Sequence, residues 1–235
     1  MQCVILAGGL GTRMRPLTDT CPKTLLPVCG RPFANYQMRW LASQGVSDVV
    51  YSIGYQGQLI RDYWQQETSP IPIHYVDEGE QLRGTGGAVG LAFETGVLEE
   101  RFFVIYGDSF LPVQFAPIWK AFEQSGRSAL MTVLHNRGQW DRSNVQYESG
   151  RILRYDKRGG PEMQYIDYGL SVLDRRLLER HRNETFDLAT LFHDMSLQGE
   201  LAGFEVQERF YEIGSPEGLY AFEQYLEGED SLVTS

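Results

Sequence analysis

The stretch VILAGGLGTRMRPLTDTCPKTLLPV, at residues 4–28, decides the fold of this chain. Residues 3–7 are apolar throughout and predict a short buried strand. Gly8, Gly9 and Gly11 follow, and glycine allows the backbone to approach a ligand closely and to adopt positive φ at little cost. Successive backbone amides in such a turn form a concave nest, so the stretch predicts an anion site directly after the first strand.

Cationic side chains accompany this turn. Arg13, Arg15 and Lys23 follow the glycines, in a chain of 235 residues with a formal net charge of −10 and a pI near 4.9. Such a cluster is otherwise typical of a solvated face, but its position beside the glycines favours a polyphosphate ligand. The acidic balance of the whole chain argues against a nucleic-acid surface.

Two common phosphate-binding patterns do not fit this turn. A P-loop requires Gly-Lys-Ser or Gly-Lys-Thr where Thr12 and Arg13 follow the last glycine, and a dinucleotide fingerprint requires a glycine where Met14 stands. The stretch instead resembles the signature of the sugar-1-phosphate nucleotidyltransferases, A-G-G-x-G-T-R-x-x-P-L-T followed by P-K-x-L-x-P. Here it stands as AGGLGTRMRPLT at residues 7–18 and PKTLLP at residues 22–27.

Composition limits the remaining classes of protein. Hydrophobic and aromatic contents of 42% and 12% are globular values. No apolar run approaches the roughly 20 residues of a membrane helix, and the chain enters a strand at once, so we expect neither a membrane span nor a signal peptide. Cys3, Cys21 and Cys29 form no CxxC pair and indicate reduced thiols in a cytoplasmic protein. Surface aromatic residues such as Tyr220 and Tyr225 would suit a homodimer interface.

Strands and helices alternate through the first half of the chain, and more strands follow in the second half. This pattern predicts a mostly parallel mixed sheet with helices on both faces. With the resemblance, it implies a Rossmann-like, GT-A-like, three-layer α/β/α nucleotidyltransferase fold. The later strands, including residues 210–213, should extend the same sheet. We expect one nucleotidyltransferase domain at residues 1–228, with a nucleotide-binding half at 1–112, a sugar-binding half at 113–228, and a flexible tail at 229–235.

Two carboxylates are predicted metal ligands. Asp108 follows Gly107 and the apolar strand at residues 101–106, and the carboxyl ends of parallel strands meet at one edge of a sheet. A carboxylate facing a polyphosphate needs a cation between them, and Mg²⁺ takes oxygen ligands from one or two carboxylates and from phosphates. The resemblance implies this role for Asp108. The resemblance also implies a second metal carboxylate at the first position of the family's D-I-G-T-P-E pattern. That pattern stands here as EIGSPE, so the second carboxylate would be Glu212. The alternatives are an aspartate that caps the following turn and a structural glutamate.

A second glycine segment, LRGTGGA at residues 82–88, resembles the family's L-G-T-G-G-A. The resemblance implies that Gly84 and Thr85 lie near the base or ribose, with Gln81 or Glu80 reading the base edge. Close packing of a helix on the sheet is the alternative explanation of these glycines. The complete nucleotide-binding set is then Leu6, Ala7, Gly8, Gly9, Gly11, Thr12, Arg13, Gln81, Gly84 and Thr85.

The sugar side matches the family more loosely. Residues 155–157 (YDK) and 168–170 (YGL) resemble its E-K-P and G-hydrophobe segments, although arginine stands where the proline is common. The resemblance implies that Lys157 and Gly169 meet the sugar phosphate, together with Lys23. Asn144, ahead of a strand, is a candidate to contact sugar hydroxyls.

One reaction follows from the resemblance: a sugar 1-phosphate and an NTP give an NDP-sugar and pyrophosphate. Arg13, Lys23 and Asp108 are its predicted catalytic residues, with Mg²⁺ as cofactor. The GTGGA segment and the compact ending look most like guanylyltransferases that use GTP and D-glycero-α-D-manno-heptose 1-phosphate to make GDP-heptose for surface polysaccharides. Uridylyltransferases of MurNAc 1-phosphate, or enzymes of a hexose 1-phosphate, are the alternative. A glycosyltransferase would be expected to carry Asp-x-Asp at residues 108–110, but phenylalanine stands in place of the second aspartate, at Phe110. A non-catalytic nucleotide-sugar sensor would be expected to lose Lys23 or the metal carboxylates, and this chain has all of them.

Overall fold

The computed structural model describes residues 1–79, 81–140 and 142–228. The candidate base reader Glu80 and the predicted tail at 229–235 lie outside these residues. Within them the chain forms thirteen strands: β1 (Gln2–Leu6), β2 (Pro27–Val28), β3 (Arg31–Pro32), β4 (Asp48–Ile53), β5 (Ile73–Asp77), β6 (Arg101–Tyr106), β7 (Ser109–Phe110), β8 (Ala129–His135), β9 (Val145–Glu148), β10 (Arg151–Tyr155), β11 (Tyr165–Asp174), β12 (Leu201–Val206) and β13 (Tyr211–Glu212). Six α-helices join them: α1 (Phe33–Ser43), α2 (Gly57–Gln66), α3 (Gly84–Glu94), α4 (Phe115–Ser125), α5 (Leu188–Leu197) and α6 (Pro216–Gly228).

Nine of these strands form one sheet in the order β5-β4-β1-β6-β11-β8-β12-β10-β9. The first four strands of this order run parallel to one another, as does the pair β8 and β12, whereas β10 and β11 run against their neighbours. The predicted mostly parallel mixed sheet is therefore confirmed. Its register places Leu6, the last residue of β1, beside Ser52 of β4 and Tyr106 of β6, so three strands end together at one edge.

Both faces of the sheet are covered because successive strand side chains point to opposite sides. In β1, Cys3 and Ile5 join a buried cluster with apolar residues of α1, α2 and α4. Val4, between them, joins a second cluster on the other face with residues of α3 and α5. The fully buried strands read as near-continuous apolar runs, as expected of parallel strands with helices on both sides. The three-layer α/β/α arrangement is confirmed.

The prediction for the last strand was wrong. Residues 210–213 were expected to extend the main sheet, but β13 instead pairs antiparallel with β7 in a separate two-stranded sheet. The reason lies in packing, because Phe110 of β7 and Ile213 belong to a third buried cluster, closed by Phe222 and Leu226 of α6. This pairing carries Glu212 to the segment that directly follows Asp108.

No helix in the described part of the chain has the length and apolar character needed to cross a bilayer.

Candidate active site

The first glycine turn leaves β1 at the edge where the parallel strands end. Gly11 adopts φ +62°, and a Cβ there would lie 3.0 Å from Cγ2 of Thr18, so both the conformation and the close approach require glycine. The Thr18 hydroxyl donates to the Gly11 carbonyl at 2.8 Å, which fixes the turn from behind. Gly9 differs, because no atom lies within 4 Å of the position of a Cβ there. Its backbone therefore faces open space.

A cavity of about 250 Å³ opens in front of this turn. It lies between the ends of β1 and β6, the segment after β5, and the start of α3. Its lining residues are Leu6, Ala7, Gly8, Gly9, Lys23, Thr24, Glu78, Leu82, Gly84, Thr85, Ala88, Tyr106, Gly107, Asp108 and Asp187. The structure thus gathers eight of the predicted site residues, from both glycine segments and from the Lys23 and Asp108 positions, around one cavity.

Lys23 and Asp108 face each other in this cavity. The Lys23 ammonium donates to Oδ2 of Asp108 at 2.6 Å, and both side chains are about one-fifth exposed, at 21% and 19%. Lys23 begins a short 3₁₀ turn, Lys23–Leu25, which is fastened to the sheet by a 2.8 Å hydrogen bond between the hydroxyls of Thr24 and Tyr51. The predicted catalytic cation and the predicted metal carboxylate therefore meet, although 85 positions separate them in the chain.

Arg13 lies on the other side of the same carboxylate. A Cβ on Gly214 would lie 3.0 Å from Nη2 of Arg13 and 3.2 Å from Oδ2 of Asp108, so both groups flank this glycine. Arg13, Gly11 and Thr12 do not line the cavity itself. Arg15, the third cation of the sequence cluster, instead forms an exposed ion pair with Asp19 at 3.3 Å.

Glu212 stands beside the Asp108 turn. It pairs with Ser109 in the small sheet, and the amide of Ile213 donates to the Asp108 carbonyl at 2.9 Å. Within the described residues no cluster of three or more His, Cys, Asp or Glu side chains could hold a metal ion. Glu212 does not line the cavity but Asp108 does, and Mg²⁺ is usually bound by one or two carboxylates together with substrate phosphates.

The second glycine segment serves packing as well as the cavity. The amides of Gly86 and Gly87 donate to the Phe186 carbonyl at 2.9 and 3.0 Å, and the Thr85 amide donates to Oδ1 of Asp187 at 3.2 Å. A Cβ on Gly86 would clash with the Phe186 ring at 2.2 Å. The first amides of α3 are thus already satisfied by the protein, and close packing explains Gly86 and Gly87. Gly84 and Thr85 also line the cavity.

Gln81 lies apart from the cavity. It lines a neighbouring groove with Arg83, Asn183 and Thr185, and this groove shares Glu78 and Leu82 with the cavity.

Two lining carboxylates, Glu78 and Asp187, were not predicted as site residues. Oε2 of Glu78 accepts from the Arg83 amide at 2.9 Å, and Oε1 lies against Gly8, where a Cβ would be 2.5 Å away. Burial raises the pKa of Glu78 above its usual value, and the bond from Arg83 offsets part of this rise. A signal for Glu78 was present, because it follows β5 at the same sheet edge. Asp187 is the N-cap residue of α5, and its Oδ1 accepts from the Thr85 hydroxyl at 3.3 Å.

The sugar-side residues are organised around Asp167, a carboxylate that was not predicted. Oδ1 of Asn144 accepts from the Asp167 amide at 2.9 Å, and the Gly169 amide donates to Oδ1 of Asp167 at 3.0 Å. Lys157 is a favourable charge nearby, yet burial raises the pKa of Asp167 to about 6. Asn144, Lys157 and Gly169 do not line the cavity. Gly169 adjoins it, because a Cβ there would lie 3.7 Å from Cδ2 of Tyr106.

The sequence of this chain matches a known protein family and several of its members. The family model described as nucleotidyl transferase matches residues 2–143. D-glycero-alpha-D-manno-heptose 1-phosphate guanylyltransferase of Aneurinibacillus thermoaerophilus is 30% identical over 92% of this chain and 94% of its own length. The catalytic subunit beta of Danio rerio mannose-1-phosphate guanylyltransferase is 31% identical over 92% of this chain, which spans only 62% of that protein. HddC from Yersinia pseudotuberculosis, solved with GMP-PN, has the same fold, with a TM-score of 0.82 at 22% identity over 96% of this chain and 99% of its own.

Proposed function

This chain belongs to the nucleotidyl transferase family and is a sugar-phosphate nucleotidyltransferase, and we propose that it transfers a guanylyl group from GTP to D-glycero-α-D-manno-heptose 1-phosphate. Family membership confirms the sequence resemblance and the reaction class. The choice of the heptose as substrate is supported by the Aneurinibacillus relative, which matches this chain over nearly its whole length. Mannose 1-phosphate is the second candidate, because the Danio rerio relative is equally similar.

The observation that carries the choice of GTP is the position of Glu78. Its carboxylate lies against Gly8 and accepts from the Arg83 amide just before α3, and Glu78 follows β5, which two strands separate from β6, the strand that leads to Asp108. Guanine presents two neighbouring donors, N1–H and the N2 amino group, and an ionised carboxylate is a pure acceptor that can receive both. Uracil and thymine present a single donor between two carbonyl oxygens, which a carboxylate repels. Glu78 therefore takes the role of base reader that the sequence suggested for Gln81 or Glu80.

The sugar phosphate needs no protein base. A phosphate monoester has its second pKa near ~6, so its oxygen is already mostly deprotonated at neutral pH. This oxygen attacks the α-phosphorus, a new P–O bond forms, and the bond to the bridging oxygen breaks with its electron pair leaving on pyrophosphate. Catalysis then consists of holding two anions together and stabilising the charge that develops.

Residues of this chain supply that stabilisation. Arg13 and the amides of residues 9–12 bind the β- and γ-phosphates, and Lys23 contacts the attacking and transferred phosphates. Asp108 and Glu212 would hold Mg²⁺, which neutralises phosphate charge when bound. Lys23 and Asp108 form an ion pair that lines the cavity, so both side chains are already oriented toward the place where the phosphates would bind. Bound nucleotide phosphates would compete with Asp108 for the lysine.

The test is pyrophosphate release with GTP, UTP, dTTP, CTP and ATP, each against heptose, mannose, glucose and MurNAc 1-phosphates. We expect the highest kcat/KM with GTP and the heptose substrate. Best activity with UTP would contradict the guanylyl assignment, and release with no combination would favour a nucleotide-sugar sensor. Location in the cytoplasm, a homodimer and a place in surface polysaccharide synthesis belong to the same proposal.

A Glu78→Gln variant tests the base reader directly. Its amide nitrogen would face a guanine donor, so kcat/KM for GTP should fall about 10- to 100-fold, the range of one good bidentate base contact. Activity with UTP should fall much less. Glu67→Gln, an exposed change at the end of α2, is the matched control and should leave GTP selectivity intact. Equal losses with GTP and UTP would remove Glu78 from base recognition.

A further inference from the structure

A buried glutamine, Gln37, is hydrogen-bonded to both ends of the turn that carries Asp108. Gln37 lies on α1 and is only 1% exposed. Its Nε2 donates to the Tyr106 carbonyl at 2.9 Å and to the Ser109 carbonyl at 2.7 Å. These two carbonyls stand immediately before and after Gly107 and Asp108. One side-chain amide therefore spans the whole turn between β6 and β7.

Other hydrogen bonds hold the middle of this turn, so the two bonds from Gln37 complete the fixing of its backbone. The Gly107 amide donates to the Leu6 carbonyl at 2.9 Å, and the Asp108 carbonyl accepts from the Ile213 amide at 2.9 Å. With Gln37 added, each residue from Tyr106 to Ser109 has at least one backbone group that is hydrogen-bonded to a neighbouring element. The carboxylate of Asp108 then keeps only its own side-chain rotations, and it points to Lys23 and the cavity.

The orientation of the Gln37 amide follows from its partners. Two carbonyl oxygens can be satisfied only by donors, so the NH₂ group must face the turn. The other amide atom, Oε1, is buried and has no hydrogen-bond partner within the described residues. Burying a polar atom without a partner is unfavourable, and an apolar side chain would fill the same space without that penalty. The compensating benefit lies in the two bonds to the turn.

We propose that Gln37 is a positioning residue for the metal site: it holds the backbone of the 106–109 turn so that the Asp108 carboxylate is preset to bind Mg²⁺ beside the nucleotide. This proposal rests on the proposed function, in which Asp108 is a ligand of that ion. Groups that orient a ligand from behind commonly change metal affinity about 10- to 100-fold when they are removed.

Gln2 provides a matched control at the opposite edge of the sheet. It is also a buried glutamine, 3% exposed, and its Nε2 donates to Oδ1 of Asp48 at 2.7 Å and to the Val97 carbonyl at 3.0 Å. It lies at the start of β1, whereas the cavity lies at the end of that strand. Its Oε1 also accepts from the Glu99 amide at 2.8 Å, so removing this side-chain amide should disturb the fold at least as much as removing that of Gln37, without reaching the metal site.

The experiment compares Gln37→Met, Gln37→Glu and Gln2→Met in the full chain. Methionine keeps the volume and removes the donors, while glutamate keeps the shape and places acceptors against the two carbonyls. Three quantities are measured for each: the melting temperature, the Mg²⁺ concentration for half-maximal pyrophosphate release, and Mg²⁺-dependent binding of a non-hydrolysable GTP analogue by calorimetry. We expect both Gln37 variants to need about tenfold more Mg²⁺ in both assays, with analogue binding in the absence of metal nearly unchanged. Gln2→Met should lower only the melting temperature.

A Gln37 variant that is less stable but keeps the wild-type Mg²⁺ midpoint would overturn the proposal, because its role would then be structural alone. If one of the two Gln37 variants fails to fold, the other gives the same decision. The proposed function is tested separately by Asp108→Asn. A shift in that variant without one in Gln37→Met refutes only the positioning role, whereas wild-type protein with no Mg²⁺ dependence refutes both.

Discussion

The two halves of the sheet build their parts of the site in different ways. In the half that we propose binds the nucleotide (the nucleotide half, residues 1–112), the parallel strands end together, and the cavity is lined mainly by backbone turns and the side chains next to them. In the half that we propose binds the sugar (the sugar half, residues 113–228), strand directions are mixed, and the polar side chains are hydrogen-bonded to one another. A backbone nest recognises phosphates from almost any nucleotide, whereas a side-chain network can be remodelled for each sugar. The common step is therefore expected in the first half and sugar specificity in the second.

The largest expected effect tests whether the chemistry is concentrated in the nucleotide half. Lys23→Ala removes the cation that faces Asp108, and turnover should fall at least about 100-fold, as when a preorganised donor at a developing charge is lost. The measurement is steady-state pyrophosphate release. Lys120→Ala, on the exposed face of α4, is the control and should behave as wild type. Near-normal turnover without Lys23 would exclude it from the mechanism.

The next effect compares one carboxylate from each half. Asp108→Asn should raise the Mg²⁺ requirement by at least about tenfold, because a ligand should matter at least as much as the groups that orient it. Glu212→Gln should raise it less, since Glu212 is an exposed residue of the small sheet. Magnesium titrations of pyrophosphate release at fixed GTP give both values. If Glu212→Gln has the larger effect, the main ligand lies in the sugar half.

A third prediction separates the two glycine segments. Gly86→Ala places a Cβ 2.2 Å from the Phe186 ring and should destabilise the fold by about 1–3 kcal/mol, the usual range for overpacking. Gly9→Ala meets no atom within 4 Å and should leave stability unchanged while weakening GTP binding. Urea unfolding and nucleotide titration distinguish the two. Equal stability of both variants would mean that Phe186 moves aside and that packing does not explain the second motif.

The smallest effect concerns the buried carboxylate of the sugar half. Burial raises the pKa of Asp167 from 3.8 to about 6, so the folded protein holds this proton more tightly than the unfolded chain does. The wild type therefore loses stability as pH rises from about 4 to 6, and the penalty is complete above pH 6. Asp167→Asn removes it and should gain about 2 kcal/mol at pH 8 relative to its difference from wild type at pH 4, because part of the full penalty is already present at pH 4. Denaturant unfolding at both pH values measures this gain, and a pH-independent difference would show that Asp167 is not held in this way.

Much of the fold was predictable because it follows from local periodicity. The strand bounds at residues 101–106 were predicted without error, since fully buried parallel strands are marked by continuous apolar runs. Because parallel strands end at one edge of the sheet, the sequence also predicted that Asp108 and the first glycine turn lie close together, and both line the same cavity. These conclusions require only that local sequence patterns distinguish helices from strands and that alternating strands and helices form a parallel sheet.

The sequence alone thus determined the α/β fold, the family and the meeting of Asp108 with the first glycine turn. The tertiary structure decided the rest: that Glu78 lines the cavity, that Phe186 fills the space left by Gly86, that Gln37 binds the Asp108 turn, and that β13 pairs with β7. Each of these depends on a contact between segments far apart in the chain, except the position of Glu78. The direction of its side chain depends on the turn after β5, which the sequence pattern does not define. Local patterns fix the backbone of an element, but only the packing of elements decides which side chain meets which cavity.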